Sequence, residues 1–233
     1  MKKIGACQSN YIPWKGYFDM ISQVDEFIFY DDVQYTKEDW RSRNKIKTDN
    51  GLLWLSVPVG KSEDRLICDV KIANNDWQRK HWQNILQFYK KAPFFYEYKK
   101  FFEDFYLNEM HDNLSDMNIG LIKKICTEIL GIKTKFGDSR EFNLQGRKEN
   151  RLLDLLEKTE ATHCLVGPAA KSYINEQRFA DRNIKLEWMD YSGYPEYKQL
   201  FEVFEHAVSI LDLIFNVGGD APFYVYGWRN KCS

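Results

Sequence analysis

Two short apolar runs, residues 3–8 (KIGACQ) and 26–31 (EFIFYD), flank a helix-compatible stretch at 16–24, and polar turn residues bound each run. Runs of this length suit strands buried on both faces, and a helix between them makes a strand, helix, strand unit. A chain that begins this way is directed toward an α/β architecture, because the helix must cover the face that two parallel strands expose.

Later segments continue the pattern. Residues 52–59 (LLWLSVPV) and 65–72 (RLICDVKI) read as two strands separated by the turn-like stretch 60–64, which predicts a hairpin. From Asp76 to about Leu130 the spacing turns helical. Asp76 suits an N-cap, Trp77, His81, Ile85 and Phe88 recur along one helix, Pro93 ends it, and further helices start near 94 and 116. Alternation resumes with strands at 134–136, 163–166 and 184–190 and helices at 147–159, 171–181 and 201–215. An aromatic tail at 222–228 is expected to pack back on the body. The expectation is a single α/β domain over residues 1–233: a Rossmann-like, mainly parallel sheet flanked by helices, with a largely helical insert at about 76–130.

With 233 residues the chain can bury a core without metals or disulfides. The 33 basic and 34 acidic residues leave a formal net charge of −1, so no global field attracts DNA or a lipid surface. The five cysteines are widely spaced and form no CxxC pair, which predicts reduced thiols rather than a zinc or redox site. Met1-Lys2-Lys3 opens no signal peptide, and no apolar run approaches the roughly 20 residues of a membrane span. A cytoplasmic location is expected.

Ligands of open parallel sheets bind beyond the carboxyl ends of the strands, where the strand order reverses. That rule selects Gln8, Asn10, Tyr11, Trp14 and Tyr17 after the first strand, and Asp31, Asp32 and Gln34 after the second. Gly167-Pro168 and Lys171 follow a later one. Pro13 and Gly16 suit either a close backbone approach to an anion at a helix start or an ordinary tight turn. Asp31-Asp32 could bind a metal, orient an amine or cap a turn; adjacent residues of an extended chain point to opposite sides, so one of the two faces a pocket. Arg41, Arg43 and Lys45 share the phase that puts them on one extended face, suited to phosphate or simply solvated. His81 has the intrinsic pKa for proton transfer at neutral pH, and its position also suits a boundary histidine. No GxSxG elbow, Walker loop or complete GxGxxG is present, and no histidine pair has helical zinc spacing.

The segments QSNYIPWKGYFDMI (8–21), DEFIFYDDVQYTKEDWRSRNKIK (25–47), LSVPV (55–59), HWQNILQFYKKAPFF (81–95) and SILDLIFNVG (209–218) together resemble the WbqC-like proteins, over nearly the whole chain. Ser9 stands where many relatives have proline, and Arg41-Ser42 precede Arg43-Asn44 where Asn-Arg is common. The resemblance implies a role in bacterial O-antigen, lipopolysaccharide or related polysaccharide synthesis, with glycyl or other aminoacyl transfer as the suggested chemistry. A weaker similarity to nucleotidylyl transferases and pantothenate synthetases would place Trp14-Lys15-Gly16-Tyr17 at the HxGH position of those folds, without either histidine.

The expected reaction is amide formation on a nucleotide-linked amino sugar, using an activated acyl or aminoacyl donor. An ATP-dependent ligase working through an adenylate and a non-catalytic sugar-nucleotide-binding protein are the alternatives. His81 and Asp32, with Asp31 beside it, are assigned proton removal or amine orientation. Gln8, Asn10 or Asn44 would meet the carbonyl, Arg43 and Lys171 the diphosphate, and Tyr11, Trp14 and Tyr17 would stack; Gln34 joins them at the strand end. No metal ligand set is expected, and the sequence leaves the oligomeric state open.

Overall fold

Strand and helix alternate along most of the chain in the computed structural model, which describes residues 1–74 and 76–231. In chain order come β1 (Lys3–Cys7), α1 (Lys15–Ser22), β2 (Glu26–Phe29), β3 (Arg43–Thr48) and β4 (Gly51–Ser56). The helices α2 (Asp76–Tyr89), α3 (Phe95–Glu103) and α4 (Leu114–Lys124) follow as the helical stretch expected at about 76–130. Then come β5 (Lys135–Asp138), α5 (Glu149–Lys158), β6 (His163–Val166), α6 (Glu176–Ala180), β7 (Lys185–Trp188), α7 (Ile210–Val217) and α8 (Ala221–Val225).

Five strands pair in the order β5-β2-β1-β6-β7, and every pairing is parallel. The chain steps from β1 outward through β2 to β5, then returns to the other side of β1 for β6 and β7. Strand order therefore reverses between β1 and β6, the point where an open α/β sheet leaves a crevice. The fold class is the Rossmann-like α/β arrangement that the alternation predicts.

The alternation of β2 sets the two cores. Phe27 and Phe29 face one side of the sheet, packed with α1, α2, α4 and α7, while Ile28 joins Ile4, Leu153, Leu156 and Phe179 on the side covered by α5 and α6. All three β2 side chains are fully buried, each contributing about 1.5 to 3 kcal/mol of transfer free energy. α1 places Phe18 and Ile21, three apart, on the first of these cores.

Three expected elements differ. The hairpin pairs β3 with β4 through the short turn at Asp49-Asn50, not 52–59 with 65–72. In β3 the inward residues are Asn44 and Ile46, so the strand reads as charged although one face is buried. Residues 65–72 instead contain one 3-10 turn, Ile67–Asp69, because Ile67 and Val70 are both buried at a spacing of three rather than two. The helix expected at 201–215 begins only at Ile210. Ahead of it the Lys47 ammonium, itself buried, donates to the carbonyls of Phe201 and Val203, both at 2.7 Å, and to Gln199 Oε1 at 2.8 Å. Those carbonyls are thereby held outside a helical ladder. The helix expected at 171–181 shortens to α6, preceded by a 3-10 turn at Pro168–Ser172.

The aromatic tail does pack back: Arg229 pairs with the buried Asp19 at 2.6 Å, and Tyr226 donates to the Leu130 carbonyl at 2.8 Å. Cys7, Cys68, Cys126 and Cys164 are free thiols, and Cys232 lies outside the described residues.

Candidate functional site

The carboxyl end of β1 delivers Gln8, Ser9 and Asn10 to the crevice, and that of β6 delivers Gly167. Pairing of Gly5 with Leu165 sets the register that brings Cys7 abreast of Gly167. Tyr191 approaches Gly167 from the end of β7, its hydroxyl 3.8 Å from where a β-carbon would stand. A second cleft opens beside this one, lined by Asn10, Pro13, Trp14, Trp40, Asn44 and Ala207. Asn10 links the two. Another hollow lies at the opposite strand ends, lined by Asp25, Glu26, Lys133 and Lys135 among others, away from the switch point.

The loop after β1 is held from every side. Asp31, fully buried, accepts from the Ser9 backbone N–H at 2.7 Å, from the Ser9 hydroxyl at 2.6 Å and from the Ser115 hydroxyl of α4. Burial raises the Asp31 pKa, and these hydrogen bonds oppose the rise. Asn44 Nδ2 donates to the carbonyls of Tyr11 (3.1 Å) and Ile12 (2.8 Å). Ile12 sits at φ 36°, a left-handed conformation that a β-branched residue adopts only when its surroundings impose it. Tyr17, buried under the loop, donates its hydroxyl to the Gln8 carbonyl at 3.0 Å.

Arg41 then orients what this loop presents. Its Nη2 donates to Gln8 Oε1 at 3.0 Å and its Nη1 to Asn10 Oδ1 at 3.3 Å, while Asn118 of α4 donates to the Arg41 carbonyl at 2.8 Å. The Cys7 thiol points at the same Gln8 oxygen, 3.9 Å away. With both amide oxygens turned toward the guanidinium, the Gln8 and Asn10 amide nitrogens are left facing elsewhere as donors. Burial pushes the Cys7 thiol pKa up against the opposing charge of Arg41, so the sulfur stays protonated rather than becoming a thiolate.

The adjacent aspartates do point to opposite sides. Asp31 continues the phase of Phe27 and Phe29 toward α4. Asp32 continues that of Ile28 toward α5, where it accepts from Ser139 Oγ at 2.6 Å and pairs with Arg151. No hydrogen bond joins Asp32 to Gln8, Asn10 or Arg41.

His81 lies in α2, buried against the loop that follows β1. Its Nδ1 is 2.8 Å from the Tyr11 hydroxyl, and the Ser56 carbonyl beside the ring favours the protonated form. The same Tyr11 hydroxyl is 2.7 Å from the Tyr106 hydroxyl, so His81, Tyr11 and Tyr106 form one buried hydrogen-bonded chain. Burial lowers the His81 pKa to about 4, so the ring is neutral and holds the loop at Tyr11.

Among the residues expected to stack, Trp14 lines the cleft, edge-on to Tyr191 at 5.1 Å, whereas Tyr11 and Tyr17 are buried. The space above Gly16 belongs to Trp14 itself: a β-carbon there would stand 2.3 Å from the indole, so this glycine admits a side chain of the chain rather than a ligand. Asn44 borders the cleft while serving the loop, and Arg43 lies over Trp54, 4.4 Å from the ring centre. Lys171 is exposed beyond β6, its ammonium 5.4 Å from the Trp188 ring. Gln34 Nε2 donates to the carbonyls of Glu63 and Arg65 and so pins the neighbouring loop.

From sequence Arg41 suits either phosphate or solvent, Ser9 is one of the residues after the first strand, and nothing singles out Ser115 or Asn118. Arg41 shares the phase of Arg43 and Lys45, but it precedes the strand, and only the fold turns it toward Gln8. Lys15 is a further buried cation. Its ammonium lies 4.9 Å from the Tyr194 ring and 5.4 Å from Tyr197, with its pKa lowered to about 8 by burial.

The fold and site define a doubly wound α/β protein with a polar crevice at its switch point. The chain belongs to the WbqC-like protein family, whose model matches residues 8–223. It is 47% identical over 228 residues to the uncharacterized protein Rv1507c of Mycobacterium tuberculosis, an alignment covering 97% of this chain and 98% of that protein. No solved structure matches it. Among the described residues no helix is long and apolar enough to cross a membrane.

Proposed function

We propose that the chain is an amide-forming transferase that moves an acyl or aminoacyl group, glycyl among the candidates, from an activated donor to the amino group of a nucleotide-linked amino sugar, as a step in O-antigen or other surface-polysaccharide synthesis. The observation that carries this reading is the pair of carboxamides at the end of β1. Arg41 holds both oxygens, which leaves the two amide N–H groups, on residues delivered to the crevice by β1, as donors turned away from it. A developing oxyanion requires donors fixed in advance, and a guanidinium anchoring two amides supplies that rigidity.

In the reaction the amine lone pair forms the C–N bond and the carbonyl π electrons move onto oxygen. The oxyanion then collapses as the donor's leaving group departs with its electron pair, and the amine proton passes to that group or to water. Gln8 and Asn10 meet the oxygen, Trp14 offers an aromatic edge to the sugar, and Arg41 is a positioning residue. His81 and Asp32, assigned proton transfer from sequence alone, serve here as wall-holding groups, because the buried imidazole is bonded to Tyr11 and the Asp32 carboxylate to Arg151 and Ser139.

The test is incubation of the full chain with a panel of acyl and aminoacyl thioesters and nucleotide-linked amino sugars, read by mass spectrometry. Appearance of an N-acylated sugar nucleotide without ATP supports transfer. Product that forms only from a free acid with ATP cleavage would replace it by the ligase, and binding without product across the panel would replace it by a non-catalytic role.

A further inference from the structure

Two indoles stand side by side on the outer face of the β3–β4 ribbon, Trp40 and Trp54, each 40% exposed, with ring centres 5.5 Å apart and planes inclined by 35°. Exposed tryptophan is uncommon, and a pair in contact is an apolar surface that a folded chain keeps at a cost. Cations frame the pair. Lys45 is the cross-strand partner of Trp54, and its ammonium lies 5.0 Å from the Trp54 ring and 5.6 Å from the Trp40 ring. The Arg43 guanidinium stacks 4.4 Å from Trp54. Two acidic groups are near: Glu38, 80% exposed, pairs with Arg43 at 3.6 Å, and Asp39 accepts from the Trp40 backbone N–H at 2.7 Å and pairs with Arg41. Lys45 makes no ion pair among the described residues.

Trp40 also lines the cleft shared by Asn10, Pro13 and Trp14, so the ribbon face and the crevice are continuous. We propose that Trp40, Trp54, Arg43 and Lys45 form a subsite for a nucleoside diphosphate, the indoles receiving the base and the two cations the phosphates. The choice of a nucleotide rests on the amide-transfer reading; the flat apolar surface and positive charge of the site do not. Ring faces suit any base, since each offers a π surface, and cations beside them suit the anion attached to it. Two cations within one small patch match one diphosphate rather than a polymer backbone, and a net charge of −1 gives a polyanion no wider field to follow. A base on the ribbon would direct the attached sugar along Trp40 toward Asn10, where the carboxamide donors stand.

Titration calorimetry of the full chain with UDP, GDP and dTDP, and separately with uridine and with inorganic pyrophosphate, tests this. At least one nucleoside diphosphate is expected to bind more tightly than either half alone. Trp54→Ala is expected to weaken it about tenfold or more, Trp54→Phe to restore most of the loss, and Lys45→Gln to weaken it and flatten its salt dependence. Absence of binding by all three diphosphates, equal affinity in wild type and Trp54→Ala, or binding of polyglutamate or heparin in their place would overturn the subsite. The readout needs no turnover. Trp54-dependent binding in a chain that forms no amide keeps the subsite and removes the transfer reading, whereas amide formation unaffected by Trp54→Ala does the reverse.

Discussion

Arg41 Nη2 stands 3.0 Å from Gln8 Oε1, joining the residue ahead of β3 to the end of β1 across 33 positions of sequence. This one contact decides which end of the Gln8 amide faces the crevice. The same guanidinium reaches Asn10 Oδ1 at 3.3 Å, so one side chain sets two donors.

Arg41→Met keeps the stem of the side chain and removes the fork that holds both amides. Because Asn118 binds the Arg41 backbone carbonyl, the fold is expected to survive with little change in Tm. Turnover should fall by about 100-fold with a smaller change in KM, the pattern of lost geometry rather than lost binding. Arg41→Lys should recover only part, since an ammonium is a point charge and cannot serve two carboxamides in one plane. Steady-state kinetics beside a thermal melt separate these outcomes; a large fall in Tm would make Arg41 structural.

Asp31 is buried with three donors on its carboxylate, so Asp31→Ala strands the Ser9 N–H and two serine hydroxyls. Unmade hydrogen bonds of buried groups cost about 1 to 3 kcal/mol each, and an overall loss of about 3 to 5 kcal/mol is expected. At about 2 to 4 °C per kcal/mol for a chain of this size, Tm should drop by about 10 °C. Asp31→Asn, which retains one acceptor oxygen, should lose less. Denaturant unfolding measures both, and a midpoint equal to wild type for Asp31→Ala would contradict the placement.

The His81 ring has its pKa lowered from 6.5 to about 4 by burial, and the sign of its pH effect follows. As pH falls through 6.5 the unfolded chain takes up a proton that the folded chain refuses, so the folded state loses stability. The loss grows down to about pH 4, where the folded ring also protonates, and reaches about 3 kcal/mol. Above pH 6.5 the term vanishes. In His81→Asn the difference in stability between pH 7 and pH 4 should shrink by about that amount, as measured by urea unfolding at both values. Equal pH dependence in the two proteins would mean that the imidazole is not buried neutral.

The parts of the fold written in local pattern could be read from the sequence. β1 and β2 are short apolar runs with polar ends and α1 a helix-compatible stretch between them, and Asp31-Asp32 declared their opposite facing through simple alternation. A strand at 52–59 was legible, but its pairing with β3 was not, because the outward Arg43 and Lys45 and the buried Lys47 make β3 look like a charged loop. Residues 201–209 resemble a helix locally, yet the Lys47 ammonium captures their carbonyls, a contact more than 150 positions apart. The site divided the same way. Gln8, Asn10 and Trp14 follow from their place after β1, but the engagement of His81 by Tyr11, and the turn of Arg41 toward Gln8, depend on distant segments meeting.

The most direct measurement of the amide-transfer account is single-turnover kinetics of wild type and the Gln8→Ala/Asn10→Ala double variant on the best donor and acceptor pair from the mass-spectrometric panel. If these amides meet the oxyanion, the rate of the chemical step should fall by about 100- to 1,000-fold while acceptor affinity changes by less than about threefold. A double variant that forms amide at the wild-type rate would contradict it.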